Sequence, residues 1–204
     1  MITKFDSSYY GTVDMENLGY AGTPINERRY SQAELGGALH KVVEYAKCMD
    51  ERGYDTFWMA EHHFQPEGTE LIPNLLMMAM HLCGVTKNLR IGCGFNVVPM
   101  WHPLRLVRAL TDEQIAAMRD PRLAATAKLP RIEDAVKAGG FLTGTSADII
   151  EQLKAVEKRY PGVDRVVCAT PLGTPLDVQL EDLDRFAKEV MPAFHPAKIA
   201  ATAE

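Results

Sequence analysis

The sequence predicts an α/β fold built on parallel strands, and two observations lead to that prediction. Segments with strand character alternate with amphipathic helical segments through residues 2–99, and the alternation returns in residues 139–194. The strand predicted at 89–99 is apolar on both faces, as are strands of parallel sheets that helices cover. A chain that alternates strands and helices in this way is typical of a parallel α/β sheet.

The N-terminal elements follow from apolar periodicity and from capping residues. Residues 2–13 predict the first strand, and the long polar segment 14–30 predicts a functional flap rather than a plain connection. Residues 31–53 predict a helix, because Ser31 and Glu34 form a capping-box pattern ahead of an apolar stripe. The next elements are a strand, a helix and a strand, predicted at 56–63, 72–86 and 89–99.

The middle of the chain differs from its two ends. Residues 107–138 carry helix signals and no strand pattern, so they predict a helical connection. The C-terminal part predicts two more strand–helix units, with strands at 139–144 and 163–171 and helices at 146–160 and 180–194. We therefore expect one domain over 1–204, made of N-terminal βα units in 1–106, the connection 107–138 and C-terminal βα units in 139–204.

Composition and charge argue against several classes of partner. The 204 residues are 47% hydrophobic and 24% charged, and the net charge is −5 with no block of Lys or Arg. These values are ordinary for a globular domain, and they argue against binding to nucleic acid or to an anionic membrane surface. No signal peptide and no apolar run of the ~20 residues that span a membrane are seen. Four dispersed cysteines indicate reduced core thiols, so we expect a cytoplasmic protein.

The most informative stretch follows the apolar run of the predicted second strand, which stops at Glu61, His62 and His63. Strand alternation places His62 on one face and its two neighbours on the other, so the adjacent histidines do not readily ligate one metal. The spacing to His102 matches no zinc pattern, and we predict no metal; a metal-dependent hydrolase is a distant alternative. One histidine at a strand tip suits general acid–base catalysis, although a purely structural role explains these residues equally simply.

With these elements in place, the chain resembles the bacterial luciferase-like family of flavin-dependent monooxygenases. Residues 51–64 carry that family's Glu-His-His-Phe motif, and residues 89–105 resemble its third strand followed by a His-Pro-x-Arg turn. Residues 142–153 and 164–194 are similar to the family's last two βα units.

The resemblance implies a TIM (β/α)8 barrel with its active site at the C-terminal ends of the strands, a fold that typically takes ~250 residues. Here the His-Pro-x-Arg turn is followed by material similar to the region before the seventh family strand. We therefore expect a shortened member without the central barrel strands. Its fold would be a partial barrel of about five parallel strands with flanking helices.

The resemblance also implies roles for individual residues. His62 would assist proton transfer in the reaction of reduced flavin with oxygen, and Glu61 would hold its neighbours or set the local charge. The family's third strand lines the flavin ring, and small residues there let a ring approach the backbone, although they can also simply relieve crowding. The expected cofactor contacts are Gly94, Phe95 and Asn96. The expected substrate-pocket residues are Ser8, Tyr10 and His63, although a place in the core or at the surface explains Ser8 and Tyr10 equally well.

Two functions of different classes follow from the resemblance. The first is a flavin-dependent monooxygenase that uses reduced FMN and O2 on a small organic substrate, with a flavin reductase as partner; a deazaflavin enzyme is the close variant. The second is a catalytically inactive shortened homologue that acts as a dimerisation subunit. The family usually dimerises through helices near its N-terminal half, so we expect a homodimer or a heterodimer with a full-length homologue.

Overall fold

The computed structural model describes residues 1–16, 22–23, 27–62, 68–94, 131–169 and 174–194. The strands within these ranges are β1 (Lys4–Ser8), β2 (Thr56–Met59), β3 (Arg90–Cys93) and β4 (Arg165–Cys168). The helices are α1 (Gln32–Glu51), α2 (Leu75–Val85), α3 (Ile132–Lys137), α4 (Ser146–Arg159) and α5 (Leu176–Arg185). A π-helical turn at Phe186–Val190 and a 3-10 turn at Met191–Ala193 continue α5.

The described strands form one parallel sheet in the order β3-β2-β1-β4. Ser8 of β1 pairs with Trp58 of β2, and Trp58 pairs with Gly92 of β3, so these three residues lie at one level of the sheet. The prediction of a parallel α/β fold is confirmed. Because all strands run in one direction, their C-terminal ends lie at the same edge.

Helix α1 begins where the sequence predicts. The Ser31 hydroxyl accepts a hydrogen bond from the Glu34 backbone N–H at 3.3 Å, and the Glu34 carboxylate accepts the Ser31 backbone N–H at 2.8 Å. This reciprocal pair satisfies two N–H groups that a helix start otherwise leaves without a partner, which explains why the helix starts at this point.

Aromatic side chains join α1 and the end of the chain to one face of the sheet. Alternation places Phe5 and Ser7 of β1 on the same face. Phe5 makes edge contacts with Phe186 and Phe194, with ring centroids 5.5 and 5.7 Å apart. The Ser7 hydroxyl lies 2.7 Å from the phenol oxygen of Tyr45 in α1. Helix α1 and the C-terminal turns therefore cover the same face of β1.

The strand predicted at 139–144 is wrong. Gly139 adopts a φ of 72°, and the backbone N–H groups of Gly140 and Phe141 donate to the Ala135 carbonyl at 2.8 and 3.3 Å. These residues therefore cap the C-terminal end of α3, and the left-handed glycine redirects the chain before a strand can begin.

Two further expectations need correction. Strand β2 ends at Met59, so Glu61 and His62 follow the strand instead of forming its last residues. All four cysteines are free, but Cys83 is exposed and the other three are only partly buried, so they are not core thiols.

The chain divides into two compact units, Met1–Asn96 with Leu153–Glu204, and Val97–Gln152. The first contains the described sheet. The second contains α3 and the start of α4, where the Thr145 backbone N–H donates to the Asp148 carboxylate at 2.8 Å. Among the described residues, no helix combines the length and the apolar character that crossing a membrane would require.

Candidate functional site

The candidate site lies at the sheet edge where β1, β2 and β3 end. Ser8 is the last residue of β1, His62 follows β2 by three residues, and Gly94 directly follows β3. The Gly94 backbone N–H donates to the Met59 carbonyl at 2.8 Å, which continues the pairing of β2 with β3 beyond their last strand residues. The structure thus gathers three of the predicted site residues at one edge.

A short segment, residues 68–72, is held across this edge by backbone hydrogen bonds; we call it the tip segment. The Leu71 N–H donates to the carbonyls of Tyr10 and Gly11 at 2.9 and 2.8 Å. The His62 N–H donates to the Ile72 carbonyl at 3.1 Å, and the Val13 N–H donates to the Gly68 carbonyl at 3.0 Å. These bonds tie the tip segment to the ends of both β1 and β2.

The tip segment brings a carboxylate to the predicted catalytic histidine. Nδ1 of His62 lies 3.1 Å from Oε2 of Glu70, and the two side chains keep 34% and 30% of their surface exposed. A histidine oriented by a carboxylate and open in part to solvent has the access that proton transfer to a small molecule requires.

Glu61 occupies a different environment from His62. Its residue surface is only 3% exposed. Burial, and to a smaller extent the negative charge of Glu61, raises the pKa of the Cys93 thiol at the end of β3. The buried Glu61 therefore acts on the partly buried Cys93 thiol, and its role in setting the charge of the site stays a prediction.

The indole of Trp58 lies against Gly92 of the neighbouring strand. A Cβ built on Gly92 would meet ring atoms of Trp58 at 2.4–2.7 Å, so no larger residue fits there without moving the ring. The indole N–H donates to the carboxylate of the completely buried Asp6 at 2.8 Å. At Gly92 the small residue therefore makes room for the protein's own aromatic ring.

Gly94, the predicted cofactor contact, is less crowded. Among the described residues, a Cβ there would meet one atom of Trp58, at 3.6 Å, which is ordinary van der Waals contact. The described residues therefore leave more room for a flat ligand over the Gly94 backbone than over Gly92. The other predicted residues of this group, Phe95 and Asn96, lie outside the described residues, as does His63.

The predicted pocket residues Ser8 and Tyr10 lie at and just beyond the end of β1, and both have structural contacts of their own. Ser8 is 7% exposed and pairs with Trp58 in the sheet. The partly buried Tyr10 anchors the tip segment through its carbonyl. Tyr9 stacks on Tyr45 of α1 at 4.9 Å between ring centroids, so it belongs to the core.

Within the described ranges, no group of three or more His, Cys, Asp or Glu side chains is placed to hold a metal ion. His102, the additional ligand considered from the sequence, lies outside those ranges.

Two parts of this site were not predicted from the sequence. Glu70 adopts a φ of 55°, a left-handed conformation that a non-glycine residue rarely takes, and no sequence pattern announces it. Asp6 and Trp58 read as ordinary strand residues, because alternation alone predicts which face they share and not that they hydrogen-bond. β1 also contains Lys4, Ser7 and Ser8, so a carboxylate at Asp6 does not stand out in the sequence.

Comparison with known proteins relates the N-terminal half of the chain to one family. Residues 17–112 match the family model described as luciferase-like monooxygenase. The alkanal monooxygenase alpha chain of Photorhabdus laumondii is 36% identical over 77 residues, which are 38% of this chain and 20% of that protein. The oxygenase component of the flavin-dependent trigonelline monooxygenase of Acinetobacter baylyi is 32% identical over 91 residues, or 43% of this chain and 25% of that protein.

The chain spans a quarter or less of the length of these curated relatives. A solved structure is also similar, the oxygenating constituent of 3,6-diketocamphane monooxygenase from Pseudomonas putida in complex with FMN. It is 19% identical with a TM-score of 0.31, over 67% of this chain and 37% of that protein, and a likeness this low carries no argument.

Proposed function

Residues 17–112 of this chain belong to the luciferase-like monooxygenase family, and on that premise we propose that the protein is a flavin-dependent monooxygenase. It would act on a small organic substrate with reduced FMN and O2. The observation that carries the proposal is the position of His62, just beyond β2 at the edge where the parallel strands end. In α/β folds with parallel strands, that edge is where ligands bind.

In this function, His62 would hold or transfer a proton at its imidazole. Glu61 would set the charge beneath the edge, and Ser8, Tyr10 and His63 would contact the substrate. A flavin would supply the oxidising chemistry, with a reductase providing it in the reduced form. A deazaflavin is the alternative cofactor, in which case the reaction is a hydride transfer without O2.

The packing of helices on the sheet supports the proposal of a partial barrel. β1 pairs with both β2 and β4, an order that a barrel without its central strands shares with the first four strands of a doubly wound sheet. Tyr45 of α1 and Phe186 after α5 contact side chains on the same face of the sheet. A doubly wound sheet places helices on both faces, whereas the helix contacts named here, all between described residues, fall on one face, as in a sector of a barrel.

The described residues fit a flat cofactor at Gly94 and not at Gly92. The Trp58 indole fills the space over Gly92, whereas only ordinary contact limits the space over Gly94. Gly94 would therefore provide the backbone approach, together with Phe95 and Asn96 as the sequence predicts.

The experiment is a titration of the purified protein with FMN, followed by flavin fluorescence, on the wild type and on Gly94→Leu. The leucine side chain would occupy the space over Gly94, so we expect the wild type to bind FMN and the variant to bind it much more weakly. Gly36→Leu is the matched control, because Gly36 is an exposed residue of α1 with nothing within 4 Å of a built Cβ. Absence of binding by the wild type at high micromolar FMN would reject the proposal.

A second candidate, a subunit that pairs with another luciferase-like chain, is favoured by the surface of α2. Leu76, Met77 and Met80 are apolar residues of this helix that remain 48%, 71% and 77% exposed. Exposed apolar side chains grouped on one helix are typical of a protein interface. Sedimentation of the wild type and of Met77→Lys/Met80→Lys tests this function: loss of a dimer in the variant supports it, and a monomeric wild type that pairs with no homologue rejects it.

A further inference from the structure

Glu70 is a charged group that the structure places at the imidazole of His62. Its Oε2 lies 3.1 Å from Nδ1, within hydrogen-bond distance. The sequence motif that identifies His62 does not include Glu70, which lies eight positions further along the chain.

The backbone around Glu70 explains how the carboxylate is held there. Glu70 has a φ of 55°, a conformation that residues with a Cβ adopt only when the surroundings enforce it. Here backbone hydrogen bonds of the next two residues constrain the chain at Glu70. The Leu71 N–H donates to the Tyr10 and Gly11 carbonyls, and the Ile72 carbonyl accepts the His62 N–H at 3.1 Å. The same hydrogen bonds that force the unusual backbone also bring Glu70 next to His62.

We propose that Glu70 is a positioning residue that fixes the tautomer of His62. An ionised carboxylate only accepts hydrogen bonds, so the proton of the neutral imidazole must reside on Nδ1 when the pair forms. Nε2 then carries the lone pair and is the atom that accepts a proton. The tautomer of His62 follows from the contact with Glu70 and does not depend on the proposed function. Only the use of Nε2 as the proton acceptor in a reaction rests on that function.

The proposal differs from a simple surface ion pair in what it requires of the neutral histidine. An ion pair exists only while His62 is protonated and makes no statement about the neutral ring. The positioning role requires that the carboxylate select one neutral form, which is the form that works as a base. Carboxylates orient histidines in this way in other sites, where the partner fixes both the ring and its tautomer.

The test is long-range ¹H–¹⁵N NMR on protein labelled with ¹⁵N-histidine, at about pH 9, where histidine side chains in general are neutral. The two tautomers have distinct patterns of nitrogen shifts and couplings, and His62→Gln assigns the signal among the six histidines. We expect the Nδ1–H form to dominate in the wild type. A wild-type His62 that is mainly Nε2–H would overturn the proposal.

Glu70→Gly is the variant of choice, because glycine accepts a φ of 55° without strain while it removes the carboxylate. We expect the share of the Nδ1–H form in the His62 signal to fall and that of the Nε2–H form to rise, with the rest of the spectrum unchanged. An unchanged tautomer in a folded Glu70→Gly protein would equally overturn the proposal.

The NMR experiment contains no flavin, so it separates this inference from the proposed function. Failure to bind FMN, with His62 in the Nδ1–H form, would reject the monooxygenase and leave the positioning role intact. Normal FMN binding, with His62 in the Nε2–H form, would reject the positioning role alone.

Discussion

The guanidinium of Arg165 in β4 forms an ion pair with the carboxylate of Asp6 in β1, and Asp6 is completely buried. The second oxygen of the same carboxylate accepts the Trp58 indole N–H, and the guanidinium also donates to the Thr56 hydroxyl at 3.1 Å. One buried carboxylate therefore links three neighbouring strands, β4, β1 and β2.

We expect Asp6→Ala to lower the free energy of unfolding by about 2–4 kcal/mol, because it leaves the Arg165 guanidinium and the Trp58 N–H without their acceptor. Urea denaturation measures this loss. Lys4→Met is the matched control, since it removes the exposed ion pair between Lys4 of β1 and Asp164, the residue directly before β4. The control should lose far less stability, and equal losses in the two variants would contradict the importance of burial.

Gly92→Ala should destabilise the protein by about 1–3 kcal/mol, because its Cβ displaces the Trp58 ring. The displacement should also change the fluorescence of Trp58, measured in a Trp101→Phe background so that one tryptophan remains. Gly94→Ala is the control: its Cβ makes only ordinary contact, and we expect little change in stability or fluorescence. If the two alanine variants behave alike, the indole does not lie where we describe it.

The acid sensitivity of the fold should depend in part on Asp50. Its carboxylate accepts the backbone N–H groups of Lys87, Asn88 and Leu89 at 2.7–2.8 Å. Burial raises the pKa of Asp50, but these bonds and the Lys87 charge together lower it by more, so the pKa lies below its usual value. A carboxylate whose pKa is lower in the folded state than in the unfolded state stabilises the folded state above about pH 4. This contribution is lost as the pH falls through the pKa of the folded state.

Asp50→Ala should therefore lower the free energy of unfolding at neutral pH by about 1–2 kcal/mol. The difference from the wild type should shrink as the pH is lowered below about 4, as urea denaturation over a pH series will show. Glu51→Ala, the exposed neighbour on α1, should leave the acid sensitivity of the wild type in place. A difference between Asp50→Ala and the wild type that is independent of pH would contradict this account.

His62→Ala should reduce the rate of the flavin-dependent reaction by about 100-fold or more, the usual contribution of a general acid–base residue. The measurement is stopped-flow absorbance during reoxidation of reduced FMN by oxygen in the presence of the protein. FMN binding should persist, because we do not assign His62 to the cofactor contacts. His81→Ala removes an exposed histidine of α2 and should react like the wild type; an equal rate for His62→Ala would reject the catalytic role.

The local part of this structure was predictable from the sequence. The capping box of Ser31 and Glu34 identifies the start of α1, because the hydrogen bonds that begin a helix involve residues only three positions apart. The parallel sheet was predictable for a related reason, since alternating strands and helices leave few other arrangements for burying their apolar faces.

The parts that sequence reasoning missed depend on contacts between distant segments. Phe141 and Leu142 read as the core of a short strand, yet the chain there is bonded back to Ala135 and caps α3. Glu70 is placed by carbonyls of residues some sixty positions earlier, at Tyr10 and Gly11, which no local pattern encodes. The roles of His62 and Gly94 stay predictions from the family resemblance, to be decided by the titration and the rate measurement.

The place of β1 between β2 and β4 determines when this sheet can be completed during synthesis. β1 leaves the ribosome long before its neighbour β4, which begins at Arg165. Until β4 is translated, one edge of the nascent β1 lacks its native partner strand. The Asp6 carboxylate also lacks its ion-pair partner, the Arg165 guanidinium. The growing chain is therefore open to strand pairing between molecules until β4 emerges, which makes the yield of folded protein sensitive to the rate of synthesis and to chaperones.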